Sequence, residues 1–243
     1  MKNIKKRHIL ILGGSSDIGI EVIKFFLKLN WKVTAHYNKN KKKLDKLKQK
    51  SRKLNLIHFD FSNYENPLIE KMIMKKFNGE YDSVVNLICC LDNKSFNKTS
   101  LKDILKSLCA NSLVPILIER IALKSMLKKK WGRILNCSSI GIKFGGGKYT
   151  YNYSLAKHSL EFIPSSYKDW AQNNVLINNL RIGLTNTKVH KRYKKNITIS
   201  KRIKLIPMNR MAEPYEISKY INDLVSDKNS FMTGQTITVS GGE

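Results

Sequence analysis

Short apolar runs alternate with helix-like, amphipathic stretches from one end of the chain to the other. The runs at 8–14 (HILILGG), 31–37 (WKVTAHY), 54–60 (LNLIHFD), 81–88 (YDSVVNLI), 132–139 (GRILNCSS), 175–182 (VLINNLRI) and 235–242 (QTITVSGG) predict short buried strands. Between them, helices are predicted near 17–29, 64–77, 101–128, 152–172 and 214–226, with a lysine-rich one near 41–50. Alternation of this kind predicts an α/β fold, a doubly wound parallel sheet with helices on both faces. No Pro/Gly/Ser-rich linker or repeat divides it, so residues 1–243 read as one domain. In such a sheet ligands sit beyond the carboxyl ends of the strands, so chemistry is sought just after each one.

After the first run comes LGGSSDIG, residues 12–19. Gly13 and Gly19, in a turn that opens a helix, let the backbone approach a pyrophosphate, and the helix N-terminus offers free N–H groups. Ser15 and Ser16 add hydroxyls, and either Ser16 or Asp17 suits the helix cap. After the second run the sequence reads AHYNKNKKK, with no acid to bind a ribose 2′-hydroxyl. Tyr37, Asn38 and Lys39 stand there instead. A cation and an amide suit a 2′-phosphate, which favours NADP over NAD.

The stretch YTYNYSLAK, residues 149–157, places Tyr153 one helical turn before Lys157. An ammonium beside a phenol favours the phenolate. Tyr149 and Tyr151 lack such a partner and are expected to pack at the start of the helix or to line a pocket wall.

Together these motifs resemble the short-chain dehydrogenase/reductase family, in its 3-oxoacyl-carrier-protein reductase-like form, over residues 8–242. Gly13, Ile18 and Gly19 fit that family's T-G-x-x-x-G-I-G, with Leu12 in the Thr place and Asp17 in the middle Gly place. Asp60, followed by Phe61 in FDFS, falls where the family contacts adenine. VNLICC stands where the family has N-N-A-G and keeps only Asn86. Asn111 matches the family's catalytic-site Asn. GRILNCSS leads to the family's Ser, which is Ser139, with Ser138 the minor alternative. Ser139 lies fourteen residues before Tyr153, one more than the common spacing, and the GGGK at 145–148 is expected to absorb the difference. RIGLTNT resembles P-G-x-x-x-T and brings in Gly183, Thr185 and Thr187. TGQTITVSGG follows the family's last strand.

The resemblance implies a Rossmann fold and an NADP-dependent oxidoreductase that moves hydride between nicotinamide and a ketone or secondary alcohol. It implies Tyr153 as general acid in reduction, Ser139 as donor to the substrate oxygen, and Lys157 on the nicotinamide ribose. Asn111 would anchor a proton-relay water. Lowering a phenol's pKa by about three units needs about 4 kcal/mol, within reach of a nearby ammonium plus the oxidised nicotinamide's charge. Residues 188–211 (KVHKRYKKNITISKRIKLIPMNRM) hold no acid and fall where the family has a substrate-covering segment. A basic cover suits an anionic substrate such as a carrier-linked thioester or a sugar nucleotide, and the lysine excess found throughout the chain accounts for it equally well. A homo-oligomer, tetramer or dimer, is also implied.

The net charge is +27, from 45 Lys and Arg against 18 Asp and Glu. Lysine dominates it, with abundant Asn and Ile, as a coding bias toward A and T would give. The basic residues form no recognition helix or aromatic stacking series, so nucleic acid is not the expected partner. No run approaches the roughly 20 apolar residues of a membrane span. The N-terminal apolar run is short and ends in glycines, unlike a secretory signal. A soluble cytoplasmic protein is expected. Cys89, Cys90, Cys109 and Cys137 show no C-x-x-C and read as reduced, buried thiols. No metal site is expected. Two further readings compete with the enzyme: a cofactor-binding regulator without catalysis, and a basic nucleic-acid-binding protein.

Overall fold

A computed structural model describes residues 6–189 and 199–243. Its strands are β1 (His8–Leu12), β2 (Lys32–Tyr37), β3 (Leu54–His58), β4 (Ser83–Asn86), β5 (Gly132–Ser139), β6 (Val175–Ile182) and β7 (Thr236–Val239). They form one parallel sheet in the order β3-β2-β1-β4-β5-β6-β7. The doubly wound prediction holds. The chain reverses direction across the sheet between β1 and β4, and Leu12 lies in register with Asn86 at that point. A crevice therefore opens above these two strand ends.

Side chains alternate across a strand, so each strand feeds two cores. Ile9, Ile11, Leu135 and Leu180 pack with Val22, Ile23 and Phe26 of α1 (Asp17–Lys28). Ile217 and Ile221 join them from the last helix, α9 (Pro214–Leu224). Leu10, Leu12, Val84 and Ile134 face the other way, against Ile118, Ala122 and Met126 of α5 (Val114–Lys129). The remaining helices are α2 (Lys42–Lys50), α3 (Ile69–Lys76), α4 (Leu101–Leu108), α6 (Tyr151–Leu160), α7 (Tyr167–Gln172) and α8 (Ile199–Ile203). Among the described residues no helix is long and apolar enough to cross a membrane.

Prolines explain where the helices depart from the periodicity. The helix expected from 64 starts only at Ile69, because Pro67 holds Asn66 outside the helical region. The helix expected over 152–172 splits into α6 and α7 around Pro164. The long helix expected over 101–128 is broken by a π turn at Cys109–Leu113. Pro115 has no N–H to give the carbonyl of Asn111 four residues back, so the backbone widens there. Asn111 thus sits on the irregular turn of an otherwise regular rod.

Candidate active site

β1 ends at Leu12, and the chain turns sharply through Gly13, whose φ is +77°. A Cβ on Gly13 would stand 2.7 Å from the Leu87 carbonyl oxygen, and one on Gly19 would stand 2.8 Å from that of Gly14. Both glycines are required by close approach of backbone to backbone. Ser16, rather than Asp17, caps α1, its hydroxyl accepting the Gly19 N–H at 3.0 Å. Asp17 turns outward, pairing with Lys43 Nζ at 2.8 Å and accepting the Lys188 N–H at 2.8 Å.

His36 supports this turn. Its Nδ1 lies 3.2 Å from the Gly13 N–H, its Nε2 lies 2.9 Å from the Phe59 carbonyl, and its ring stacks on Phe61 at 4.2 Å. Burial pushes its pKa down to about 4, so the neutral ring accepts on one side and donates on the other.

A cleft of about 1020 Å³ runs across the carboxyl ends of the strands. Of the cofactor residues expected from sequence, Gly13, Ser15, Ser16, Asp17, Ile18, Asn38, Lys39, Asp60, Phe61, Gly183, Thr185 and Thr187 line it. Ser139, Tyr153 and Lys157 line it too. Asp60 is held by Ser62, whose N–H and hydroxyl reach Oδ1 at 2.9 and 2.7 Å.

Four expected residues do not reach the cleft wall. Gly19 works from behind it, through the close packing described. Tyr37 faces the opposite side of β2 from His36 and packs on the His58 ring at 5.3 Å. Strand alternation therefore gives the cleft His36 in its place. Asn86 and Asn111 lie beneath the wall and are fully buried. Asn86 Oδ1 accepts the Ile88 N–H at 3.1 Å. Asn111 Oδ1 accepts the Cys90 N–H at 2.8 Å while its Nδ2 donates to the Cys90 carbonyl at 2.9 Å. The two asparagines clamp the segment after β4 from both ends.

At the end of β5, Ser139 Oγ accepts the Gly141 N–H at 3.2 Å, and Ser139 lines the same cleft as Tyr153. Ser138, the minor alternative, lines the cleft as well, and its buried Oγ has no partner among the described residues. Gly145 and Gly146, at φ +70° and +86°, turn the chain between Ser139 and Tyr153, where the extra residue was expected. Lys157 is 1% exposed and donates to the Cys137 carbonyl at 2.6 Å. Its Nζ lies 5.9 Å from the centre of the Tyr153 ring. Tyr149 and Tyr151 stay out of the cleft, Tyr151 packing edge-on against Phe96.

Among the protein's own groups, burial opposes an acidic phenol. Burial, with the Cys89 and Cys137 thiols close by, pushes Tyr153 well above its usual pKa of 10.0. Burial also pulls Lys157 below its usual 10.5. The enclosure that brings the two together strips water from both charges.

The cysteines depart from expectation as well. All four are free, but only Cys137 is buried; Cys90 and Cys109 are partly buried, and Cys89 is exposed in the cleft beside Tyr153. Nothing in the spacing of Cys89, His36 or Lys43 marked them. Residues 190–198 of the basic covering segment lie outside the described residues. Arg202 and Leu205, further along it, line the cleft, where Arg202 pairs with Glu243 at 2.9 Å. No group of three His, Cys, Asp or Glu gathers at metal-binding distance among the described residues.

Known proteins resemble this chain over most of its length. A family model described as enoyl-(acyl carrier protein) reductase matches residues 13–243. The chain is 33% identical over 189 residues to 3-oxoacyl-(acyl-carrier-protein) reductase of Aquifex aeolicus, covering 73% of each chain. It is 25% identical over 241 residues to acetoacetyl-CoA reductase of Acinetobacter, covering 96% of each. Among solved structures, a 3-oxoacyl-(acyl-carrier-protein) reductase of Agrobacterium tumefaciens with NADP bound superposes with a TM-score of 0.83 at 23% identity, over 99% of this chain and 95% of that one. ElxO with NADP bound gives a TM-score of 0.79 at 26% identity over 98% of each.

Proposed function

The chain belongs to the short-chain dehydrogenase/reductase family, and from that premise we propose that it is an NADP-dependent carbonyl reductase acting on a 3-oxoacyl thioester. One arrangement carries the reading: Ser139, Tyr153 and Lys157 line the one cleft that also contains the Gly13 turn and the Asn38–Lys39 rim. Two relatives bear names that describe reduction of such thioesters, and two neighbouring structures carry NADP. The exposed Lys143 on the cleft wall suits the phosphates of such a substrate. A dimer or tetramer in the cytoplasm belongs to the same proposal.

The residues fit the cofactor, since the Gly13 turn is packed so closely that a Cβ has no room. Gly13, Ser15 and the N-terminus of α1 would hold the pyrophosphate, Asp60 the adenine, and Asn38 with Lys39 the 2′-phosphate. Lys157 would hold the nicotinamide ribose, with Gly183, Thr185 and Thr187 at the nicotinamide end. NADPH, when bound, supplies the hydride. Ser139 donates a hydrogen bond to the carbonyl oxygen as charge grows there. Tyr153 then gives that oxygen its proton. The raised pKa of Tyr153 serves this direction, because the phenol keeps its proton at neutral pH and an alkoxide is a stronger base than a phenolate. All three polar groups stand in one cleft, which supports catalysis over a purely regulatory role.

Acetoacetyl-CoA is expected to consume NADPH, followed as loss of its absorbance, while crotonyl-CoA does not. Turnover of crotonyl-CoA alone would shift the assignment to the enoyl reduction that the family model's description names. Lys39→Ala is expected to raise KM for NADPH about tenfold, as losing one charged hydrogen bond does, with KM for NADH unchanged. An equal rise for both cofactors would remove Lys39 from the 2′-phosphate.

A further inference from the structure

Beneath the carboxyl ends of β4 and β5, on the face covered by α5, a chain of buried polar groups lies outside the reduction described above. Glu119 of α5 is 7% exposed. Its Oε2 accepts a hydrogen bond from Asn136 Nδ2 at 3.3 Å, and its Oε1 is buried without a partner among the described residues. Asn136 Oδ1 accepts Asn86 Nδ2 at 3.3 Å. Asn86 Oδ1 accepts the Ile88 N–H at 3.1 Å. Ile88 belongs to the 87–90 segment, which forms a wall of the cleft that Tyr153 also lines.

A carboxyl group at such a place is costly unless it does something a leucine would not. Ile118 and Ala122, its neighbours on α5, are wholly apolar and buried. We propose that Glu119 is a positioning residue for the reduction: through Asn136 and Asn86 it fixes the 87–90 wall against Tyr153, and as a carboxylate it steadies the ammonium of Lys157. This rests on the roles proposed above for Tyr153 and Lys157.

The charged group acting on Glu119 is Lys157 of α6. Lys157 in turn feels Cys89 after β4, Cys137 of β5, Glu119 of α5 and Glu161 just past α6. Burial pushes the Glu119 acid up to about 8. Near neutral pH it is therefore mostly the uncharged acid and keeps only the hydrogen bond. At higher pH it gains a charge that opposes loss of the Lys157 proton.

The test measures kcat and KM for NADPH from neutral to alkaline pH in the whole protein, with acetoacetyl-CoA as substrate. Glu119→Gln keeps the acceptor and loses the charge. It is expected to match the parent near neutrality, with its alkaline limb of kcat displaced downward by about one pH unit. Glu119→Leu strands the Asn136 donor and is expected to raise KM for NADPH about tenfold at every pH. A Glu119→Gln profile superposable on the parent's would overturn the charge role. A Glu119→Leu protein that melts earlier but keeps the parental KM would overturn the strut. Should Glu119→Leu fail to fold, Glu119→Met, which also lacks the acceptor, takes its place for the strut, and the Glu119→Gln profile decides the charge role. Tyr153→Phe runs alongside: if it stays active, the underlying site assignment fails, whatever the Glu119 variants do.

Discussion

Tyr153→Phe is expected to cut kcat about a thousandfold, the size of effect that general acid catalysis supplies. The substitution removes one oxygen and leaves the ring where α6 holds it. The Gly13 turn, the Asn38–Lys39 rim and Lys157 are untouched, so NADPH should bind with unchanged affinity, measured by fluorescence titration. The split between lost turnover and retained binding is what identifies a proton donor. Comparable turnover in the variant would mean that Ser139 or solvent delivers the proton. Loss of NADPH binding along with turnover would mean instead that the phenol oxygen mainly serves the cofactor.

Lys157→Met should abolish turnover as thoroughly while leaving the fold as stable as the parent's or more so. The ammonium is 1% exposed and burial lowers its pKa, so folding charges this group at a cost. For a lysine whose folded pKa lies below its unfolded value of 10.5, that cost is fully present below the folded pKa. It fades as pH rises from the folded pKa toward the unfolded one. The Met variant lacks the cost altogether, though it also loses the 2.6 Å hydrogen bond to the Cys137 carbonyl. Its advantage in melting temperature should therefore be greatest near neutral pH and shrink toward alkaline pH. An advantage that grows with pH would show that Lys157 is stabilised rather than strained where it sits. A dead enzyme with a firmer fold is the usual mark of a group kept for chemistry.

Much of this could be read from the chain. Seven- and eight-residue apolar runs separated by amphipathic stretches allow few arrangements other than a wound parallel sheet, and β5 and β6 begin and end where the apolar runs do. Glycines 13 and 19 announce a turn because only glycine tolerates a carbonyl that close. The Tyr153–Lys157 pair is a matter of helical pitch. All of these are local: pitch, pleat and steric room act over a few residues, and the order of residue types records them.

What stayed hidden depends on neighbours far apart along the chain. Which of His36 and Tyr37 lines the cleft is set by the face β2 presents once β1 and β3 flank it. Whether Asn111 faces the cleft or clamps the chain beside it depends on Cys90, 21 residues away in sequence. The direction in which Tyr153 titrates is decided by burial among Cys89, Cys137 and Ser139, drawn from two different strand ends. Spacing placed the amine beside the phenol, but only packing determined how much water reaches either of them. Proton affinity follows that dehydration, a property of the folded whole that no stretch of residues carries by itself.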